Sequence, residues 1–204
     1  MTGVQFSPTP DFGRVNGLPC RNRPEPGLFR KEWRGCLHST ANFFLDLFQK
    51  ISYYNIMNNL GIDLGRTIKG PTKEMYSEPF PDAFGVISKL VKRFNNSYII
   101  SRVNSEQRKW AIKWFEDRNF YNITGIPKEN IYYCFDRRDK NLFVKGLEIG
   151  TFIDDRPDVL LQMNKHMLRI LFNPSDSDKE KFKYELLQLT ILNTWKEIEK
   201  FYNL

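Results

Sequence analysis

The sequence predicts an α/β protein in which a parallel sheet lies between two layers of helices, the three-layer Rossmann-like arrangement. Short apolar runs alternate along the chain with longer segments whose apolar residues recur at helical spacing. Strands that alternate with helices form parallel sheets, because each helix carries the chain back along the sheet. With 204 residues, of which 41% are hydrophobic, the chain is long enough to bury a sizeable core.

We expect the alternation to begin near residue 58 and to end in a long amphipathic helix. Pro81 favours the start of the first helix, because the fixed φ of proline suits the first helical turn. The predicted strands are Leu60–Leu64, Tyr98–Ser101, Ile131–Phe135, Thr151–Asp154 and Met167–Phe172, and the predicted helices are Pro81–Arg93, Asn104–Asn119, Asn141–Glu148, Pro157–Lys165 and Asp178–Tyr202.

Two of the predicted strands end in carboxylates. The first strand leads into Asp63, and the fourth leads into Asp154 and Asp155. Such residues lie at the carboxyl edge of the sheet, where open α/β folds bind their ligands. If the two strands are neighbours, their carboxylates converge, and the repulsion requires a cation or a proton to offset it. Oxygen ligands of this kind suit a divalent metal, and we expect Mg²⁺.

Further polar residues follow the same order along the chain. Thr67 comes shortly after Asp63, Ser101 ends the second strand, and Lys140 precedes a short helix. A carboxylate can attack phosphorus, a hydroxyl and an ammonium group can hold phosphoryl oxygens, and further carboxylates can hold the metal. The set therefore indicates phosphoryl-transfer chemistry on a phosphorylated substrate.

Two segments contain the acidic motifs, and they are Gly61-Ile62-Asp63-Leu64-Gly65-Arg66-Thr67 and Phe152-Ile153-Asp154-Asp155-Arg156-Pro157-Asp158. In this order, the motifs resemble those of the haloacid dehalogenase superfamily, with whose core residues 58–172 can be aligned. The second segment is similar to the acidic motif of the deoxyribonucleotidase and uncharacterised hydrolase branches.

The resemblance implies a mechanism and a site. Asp63 would be the nucleophile that forms an aspartyl-phosphate, which water then hydrolyses. Thr67 belongs to the same motif, Ser101 would be the hydroxyl of the second motif, and Lys140 would be the lysine of the third, with Lys145 as the alternative. The implied Mg²⁺ ligands are Asp63, the main-chain carbonyl of Gly65, Asp154 and Asp155, with Asp155 favoured over Asp154 as a direct ligand.

The chain departs from the superfamily pattern at Gly65. Phosphatase branches carry a second aspartate at this position as the general acid and base, a contribution typically worth about 10² to 10⁴ in rate. Asp158 and Glu74 are the other groups in the sequence that could transfer the proton. Two functions follow: a Mg²⁺-dependent phosphate-ester hydrolase slowed by this glycine, or a degenerate member that binds Mg²⁺ and a phosphorylated ligand or partner.

The spacing of the motifs leaves no room for a cap domain. Single helices and short connections fill the stretches from Asp63 to Ser101 and from Ser101 to Lys140. The resemblance therefore implies a capless member with an open site.

Structural roles remain as alternatives for each of these residues. Asp63 could cap a turn, and the acidic pair could cap the helix that begins at Pro157. Lys140 lies in a polar run that could form a solvated loop.

Residues 1–56 form a predicted N-terminal extension, largely irregular with one possible helix at 39–54, and residues 57–204 form the predicted core domain. The net charge is +7. This charge suits a phosphorylated substrate, and the basic residues between Arg14 and Arg34 leave nucleic acid as a less favoured partner. Three irregularly spaced cysteines and the lack of a signal-peptide or membrane-spanning pattern lead us to expect a cytoplasmic protein.

Overall fold

A computed structural model describes residues 58–70 and 77–204. Within these residues, six strands form one parallel sheet in the spatial order β3-β2-β1-β4-β5-β6. The strands are β1 (Asn59–Ile62), β2 (Asn96–Arg102), β3 (Ile131–Cys134), β4 (Ile149–Asp154), β5 (Leu168–Phe172) and β6 (Thr190–Leu192).

Helices connect the strands and cover the sheet. They are α1 (Ala83–Leu90), α2 (Ser105–Asp117), α3 (Phe120–Thr124), α4 (Lys140–Gly146), α5 (Pro157–Leu160), α6 (Asp176–Lys181) and α7 (Trp195–Phe201). Short 3₁₀ turns lie at Val91–Arg93, Lys128–Asn130, Arg137–Asp139 and Glu185–Gln188.

Two apolar clusters fill the space on the two faces of the sheet. Side chains on neighbouring strand positions point to opposite faces, so Ile99 belongs to one cluster and Ile100 to the other. The first cluster includes residues of α1, α2, α3 and α7, and the second includes residues of α4 and α5. The predicted α/β fold with helices on both faces is therefore confirmed.

The chain reverses its direction of growth across the sheet after β3. β1 and β4 lie side by side in the middle, with Ile62 opposite Ile153. A crevice at the carboxyl ends of the strands is expected at such a switch point. The two strands that carry Asp63 and Asp154 are thus neighbours.

The crossovers between the strands are short. Among the described residues from β1 to β4, the connections hold α1 to α4 and 3₁₀ turns, with no inserted domain. None of the helices in residues 58–70 and 77–204 is long and apolar enough to cross a membrane.

The predicted helix Asp178–Tyr202 is wrong. This stretch contains part of α6, a 3₁₀ turn, β6 and α7. Ser175 and Thr194 each accept a hydrogen bond from a backbone N–H three residues later, so two separate helices begin there. Between them, Ile191 pairs with Leu171 and extends the sheet. Helical spacing of apolar residues did not reveal this edge strand.

Two other helices are shorter than predicted. The helix that begins at Pro157 ends at Leu160 instead of Lys165, and α2 ends at Asp117. Asn119 has a left-handed φ of 52°, a conformation that cannot continue a right-handed helix, so α3 begins as a separate helix after it. The possible helix at 39–54 lies outside the described residues.

Candidate active site

Three buried aspartates converge where β1 and β4 end. Each of Asp63, Asp154 and Asp155 offers a carboxylate oxygen, and these oxygens lie within 4.8 Å of one another. The N–H of Asp63 donates to the carbonyl of Ile153 at 2.9 Å, which holds the end of β1 against β4. The sheet pairing therefore brings residues from two distant parts of the chain into one acidic cluster.

Lys140, the first residue of α4, lies inside this cluster. Its side chain is only 3% exposed, and its Nζ donates to Asp63 Oδ1 at 2.7 Å and to Asp154 Oδ2 at 2.6 Å. Burial favours the neutral amine, but the charges and hydrogen bonds of the two aspartates outweigh it and raise the pKa of Lys140. Lys145, the alternative lysine, lies exposed in the last turn of the same helix.

The two adjacent aspartates differ in their surroundings. Asp154 is fully buried, and its second oxygen accepts a hydrogen bond from the N–H of Arg156 at 3.0 Å. Asp155 lines a cavity of about 200 Å³ and contacts Arg66 Nε at 3.4 Å. Both oxygens of Asp154 thus accept hydrogen bonds, one from Lys140 Nζ and one from the Arg156 N–H. Asp155 instead faces the space where a ligand would bind.

The cluster carries more negative charge than Lys140 can balance. Burial, together with the charges of Asp63 and Asp154, raises the pKa of Asp155 to about 8. Burial and Asp63 raise the pKa of Asp154 to about 6, although Lys140 opposes the shift. Grouped carboxylates that resist ionisation in this way suit a divalent cation with oxygen ligands. Asp63, Asp154 and Asp155 therefore fit a divalent metal ion, and two of them, Asp63 and Asp155, line the cavity.

Gly65 lines the same cavity without a side chain. A Cβ on Gly65 would lie 3.8 Å from Asp63 Oδ2, an ordinary van der Waals contact. The position thus has room for a larger residue beside the predicted nucleophile.

The two hydroxyl residues of the predicted site have different positions. Ser101 is buried at the end of β2 and lines the cavity with Asp63. Thr67 is also buried, but it is not among the cavity-lining residues, and within the described chain its hydroxyl has no hydrogen-bond partner. A phosphate contact by Thr67 remains a prediction.

Asp158 is poorly suited to proton transfer at Asp63. It pairs with Arg156 at 2.8 Å and is not among the residues that line the Asp63 cavity. Partial burial opposes ionisation of Asp158, but the hydrogen bond and charge of Arg156 prevail and lower its pKa. Glu74, the other candidate, lies outside the described residues.

Four arginines around the cavity were not singled out from the sequence. Arg102 directly follows Ser101, and Arg137 lies in the polar run that leads to Lys140. Their positions close to predicted site residues in the sequence were the signal that could have identified them as part of the site. The arginines are Arg66, Arg102, Arg137 and Arg156.

Comparison with known proteins supports the fold. No protein-family model matches the chain, and no curated protein matches it. Among solved structures, it is similar to D,D-heptose 1,7-bisphosphate phosphatase from B. bronchiseptica, complexed with magnesium and phosphate, with 10% identity and a TM-score of 0.55 over 72% of this chain and 98% of that chain. A putative 3-deoxy-D-manno-octulosonate 8-phosphate phosphatase from Vibrio cholerae has 12% identity and a TM-score of 0.47 over 74% of this chain and 84% of that chain.

The first of these similarities extends over nearly all of the solved phosphatase. Together with the parallel sheet and the aspartates at the ends of β1 and β4, it assigns a haloacid dehalogenase-like fold to this chain.

Proposed function

We propose that this protein is a Mg²⁺-dependent phosphate-ester hydrolase that acts through an aspartyl-phosphate on Asp63. The observation that carries the proposal is the cluster of three buried carboxylates, two of which line one cavity, with a buried lysine between Asp63 and Asp154. The similarity in fold to a phosphatase crystallised with magnesium and phosphate agrees with it.

The residues of the cavity suit the two steps of this reaction. An oxygen of Asp63 would attack phosphorus as the ester P–O bond breaks, and water would then cleave the aspartyl-phosphate to release phosphate. Lys140 donates a hydrogen bond to Oδ1 of Asp63 and so fixes the orientation of this carboxylate. Ser101 could donate a hydrogen bond to a phosphoryl oxygen. Asp63, Asp155 and the Gly65 carbonyl would hold Mg²⁺, with Asp154 beside them, and the bound ion would supply positive charge that offsets the charge of the phosphoryl group.

The leaving group determines the rate in this proposal. The departing oxygen needs a proton unless it is already a stable anion, and Gly65 offers none. We therefore expect faster turnover of p-nitrophenyl phosphate, whose leaving group is stable as an anion, than of alkyl phosphates.

The test is p-nitrophenyl phosphate hydrolysis by the wild type and Asp63→Asn, with Asp117→Asn as a matched control on an exposed face of α2. We expect Mg²⁺-dependent turnover that Asp63→Asn abolishes and Asp117→Asn retains. Circular dichroism would verify that both variants fold. Full turnover by folded Asp63→Asn would refute the mechanism.

Gly65 also favours a second candidate function, a non-catalytic protein that binds Mg²⁺ and a phosphorylated ligand. The substitution Gly65→Asp distinguishes the two, because the space beside Asp63 Oδ2 can accept a Cβ. A hydrolase that lacks only its acid–base group should gain about 10² to 10⁴ in rate. If Mg²⁺ stabilises the fold but neither form turns over, the binding function is supported.

A further inference from the structure

We infer that Arg102 and Arg137 bind a second phosphate group of the substrate, so that the preferred substrates are bisphosphates. This inference rests on the proposed function, because it places the first phosphate at Asp63. It concerns two arginines for which that mechanism has no use.

The two arginines connect two adjoining cavities. Both line the cavity of about 200 Å³ that contains Asp63, and both line a neighbouring cavity of about 340 Å³. Phe135, which is 75% exposed, also lines the second cavity. Asp136 and Asp158 line it too, but their carboxylates are paired with Arg138 and Arg156. Arg102 and Arg137 therefore border both the cavity that contains Asp63 and the space into which a longer molecule would extend.

Arg102 and Arg137 also differ from the arginines around them, because they have no carboxylate partner at ion-pair distance in the described part of the chain. Among the described residues, Arg102 donates through Nε to the carbonyl of Phe135 at 3.3 Å, and neither Arg102 nor Arg137 forms an ion pair within 4 Å. Asp136 and Asp158 attract them only at longer range, so neither guanidinium is held by a direct carboxylate contact. Arg102 is held in place by a neutral contact and can still bind an anion. Each neighbouring arginine has a carboxylate partner: Arg66–Asp155 at 3.4 Å, Arg138–Asp136 at 2.9 Å and Arg156–Asp158 at 2.8 Å.

Charge balance at the Asp63 cavity points the same way. With the Arg156–Asp158 pair set aside, four cationic side chains around this cavity face the three clustered aspartates. A divalent metal would increase the excess of positive charge to three, and one phosphoryl dianion would reduce it to one. A second phosphate would more than offset the remainder, and paired guanidinium groups are well suited to bind it. The four cations are Arg66, Arg102, Arg137 and Lys140.

Sugar bisphosphates and nucleoside bisphosphates share this chemistry, and the experiment separates them. We would measure kcat/KM for two matched pairs that differ by one phosphate: fructose 1,6-bisphosphate with fructose 6-phosphate, and adenosine 3′,5′-bisphosphate with adenosine 5′-monophosphate. We expect at least one bisphosphate to exceed its monophosphate by about tenfold or more, the size of one good hydrogen bond to a charged group. The pair that shows the preference identifies the class of substrate.

The preference should depend on the two arginines. In the double variant Arg102→Gln/Arg137→Gln, the ratio of kcat/KM values should fall towards one. Arg93→Gln, an exposed arginine in the 3₁₀ turn after α1, should retain the wild-type ratio. Both variants change surface residues, so their folding is expected to be unaffected.

The outcomes distinguish this inference from the proposed function. Turnover of p-nitrophenyl phosphate without a preference for either bisphosphate, or a preference that the double variant retains, overturns the inference and leaves the hydrolase. If no ester is hydrolysed, titration calorimetry with the two bisphosphates and Mg²⁺ decides. Binding that the double variant weakens about tenfold supports the arginine site without catalysis, and absence of binding overturns both proposals.

Discussion

Lys140 places a buried ammonium group between Asp63 and Asp154, with both Nζ–oxygen distances below 3 Å. A buried charge costs free energy unless it is paired, and here each partner makes the burial of the others possible. Lys140 therefore stabilises the fold as well as orienting the predicted nucleophile. Its two partners are 77 and 14 residues away in the sequence, so only the folded chain brings them together.

Replacement of Lys140 by methionine should leave uncompensated carboxylates in the core. In the absence of metal at pH 8, we expect Lys140→Met to lower the free energy of unfolding by about 3–5 kcal/mol. Urea denaturation with EDTA measures the loss, and addition of Mg²⁺ should recover part of it. Lys145→Met, on the exposed end of α4, should change stability by less than about 0.5 kcal/mol. Equal stability of the two variants would contradict the role of Lys140.

The acidic cluster should couple Mg²⁺ binding to pH. Asp155 and Asp154 have folded-state pKa values of about 8 and about 6, above the ordinary value of 3.8. Without metal, the folded state therefore binds more protons than the unfolded state, and the site loses stability as the pH rises through this range. Mg²⁺ binds the ionised carboxylates, so the rise in Tm that it causes should be small near pH 5.5 and larger near pH 8.5.

Thermal denaturation with Mg²⁺ or EDTA at several pH values tests this coupling. In Asp155→Asn, most of the rise in Tm that Mg²⁺ causes at high pH should be lost. The amide does not titrate, and it binds the metal less strongly than a carboxylate does. A Mg²⁺ effect that is the same at all pH values would show that protons and metal do not compete at these aspartates.

At the scale of elements, the packing of the Phe152 and Ile149 side chains of β4 against β1 depends on Gly61. A Cβ on Gly61 would lie 2.6 Å from Phe152 Cε2 and 3.0 Å from Ile149 Cδ1. The ring of Phe152 in turn lies 5.8 Å from Lys140 Nζ. The packing between these strands therefore also supports the lysine of the candidate site.

The substitution Gly61→Ala should force Phe152 and the strands to shift. We expect it to lower the free energy of unfolding by about 1–3 kcal/mol. Gly85→Ala is the matched control, because no atom lies within 4 Å of a Cβ at that exposed helical position. It should instead stabilise α1 by about 0.5–1 kcal/mol. Chemical denaturation of both variants measures the difference, and equal effects would contradict the packing argument.

At the scale of the whole molecule, the C-terminal segment holds the loop that follows β1. Trp195 at the start of α7 is buried and donates from Nε1 to the carbonyl of Thr67 at 3.0 Å, across 128 positions of sequence. The same loop contains Gly65, which lines the candidate site. The end of the described chain is therefore part of the framework of the site.

Trp195→Phe should remove this hydrogen bond and leave the Thr67 carbonyl buried without it. We expect a loss of about 1–3 kcal/mol in the free energy of unfolding. Trp110→Phe makes the same chemical change at a position that is 38% exposed, and it should cost less than about 0.5 kcal/mol. Urea denaturation compares the two, and similar losses would show that the bond to Thr67 adds little.

Most of the fold could be predicted from the sequence, because strands and helices leave local patterns. The alternation from β1 to β5 and the carboxylates at two strand ends are properties of neighbouring residues. β6 was missed because its three residues lie among apolar positions that also fit a helix, and its pairing with β5 is a long-range contact.

The sequence by itself determined that strands ending in aspartates alternate with helices and that several cationic residues follow them. Its resemblance to the haloacid dehalogenase superfamily implied that Gly65 stands where phosphatase branches carry an acid–base aspartate. Only the tertiary structure decided that Lys140, and not Lys145, forms ion pairs with the aspartates. It also showed that Asp154 bonds Lys140 while Asp155 faces the cavity. Arg102 and Arg137 line this cavity without a close carboxylate partner in the described chain. The physical reason is that the apolar pattern of a strand or helix is local in the sequence, whereas ion pairing and burial depend on groups that only the folded sheet brings within a few ångströms.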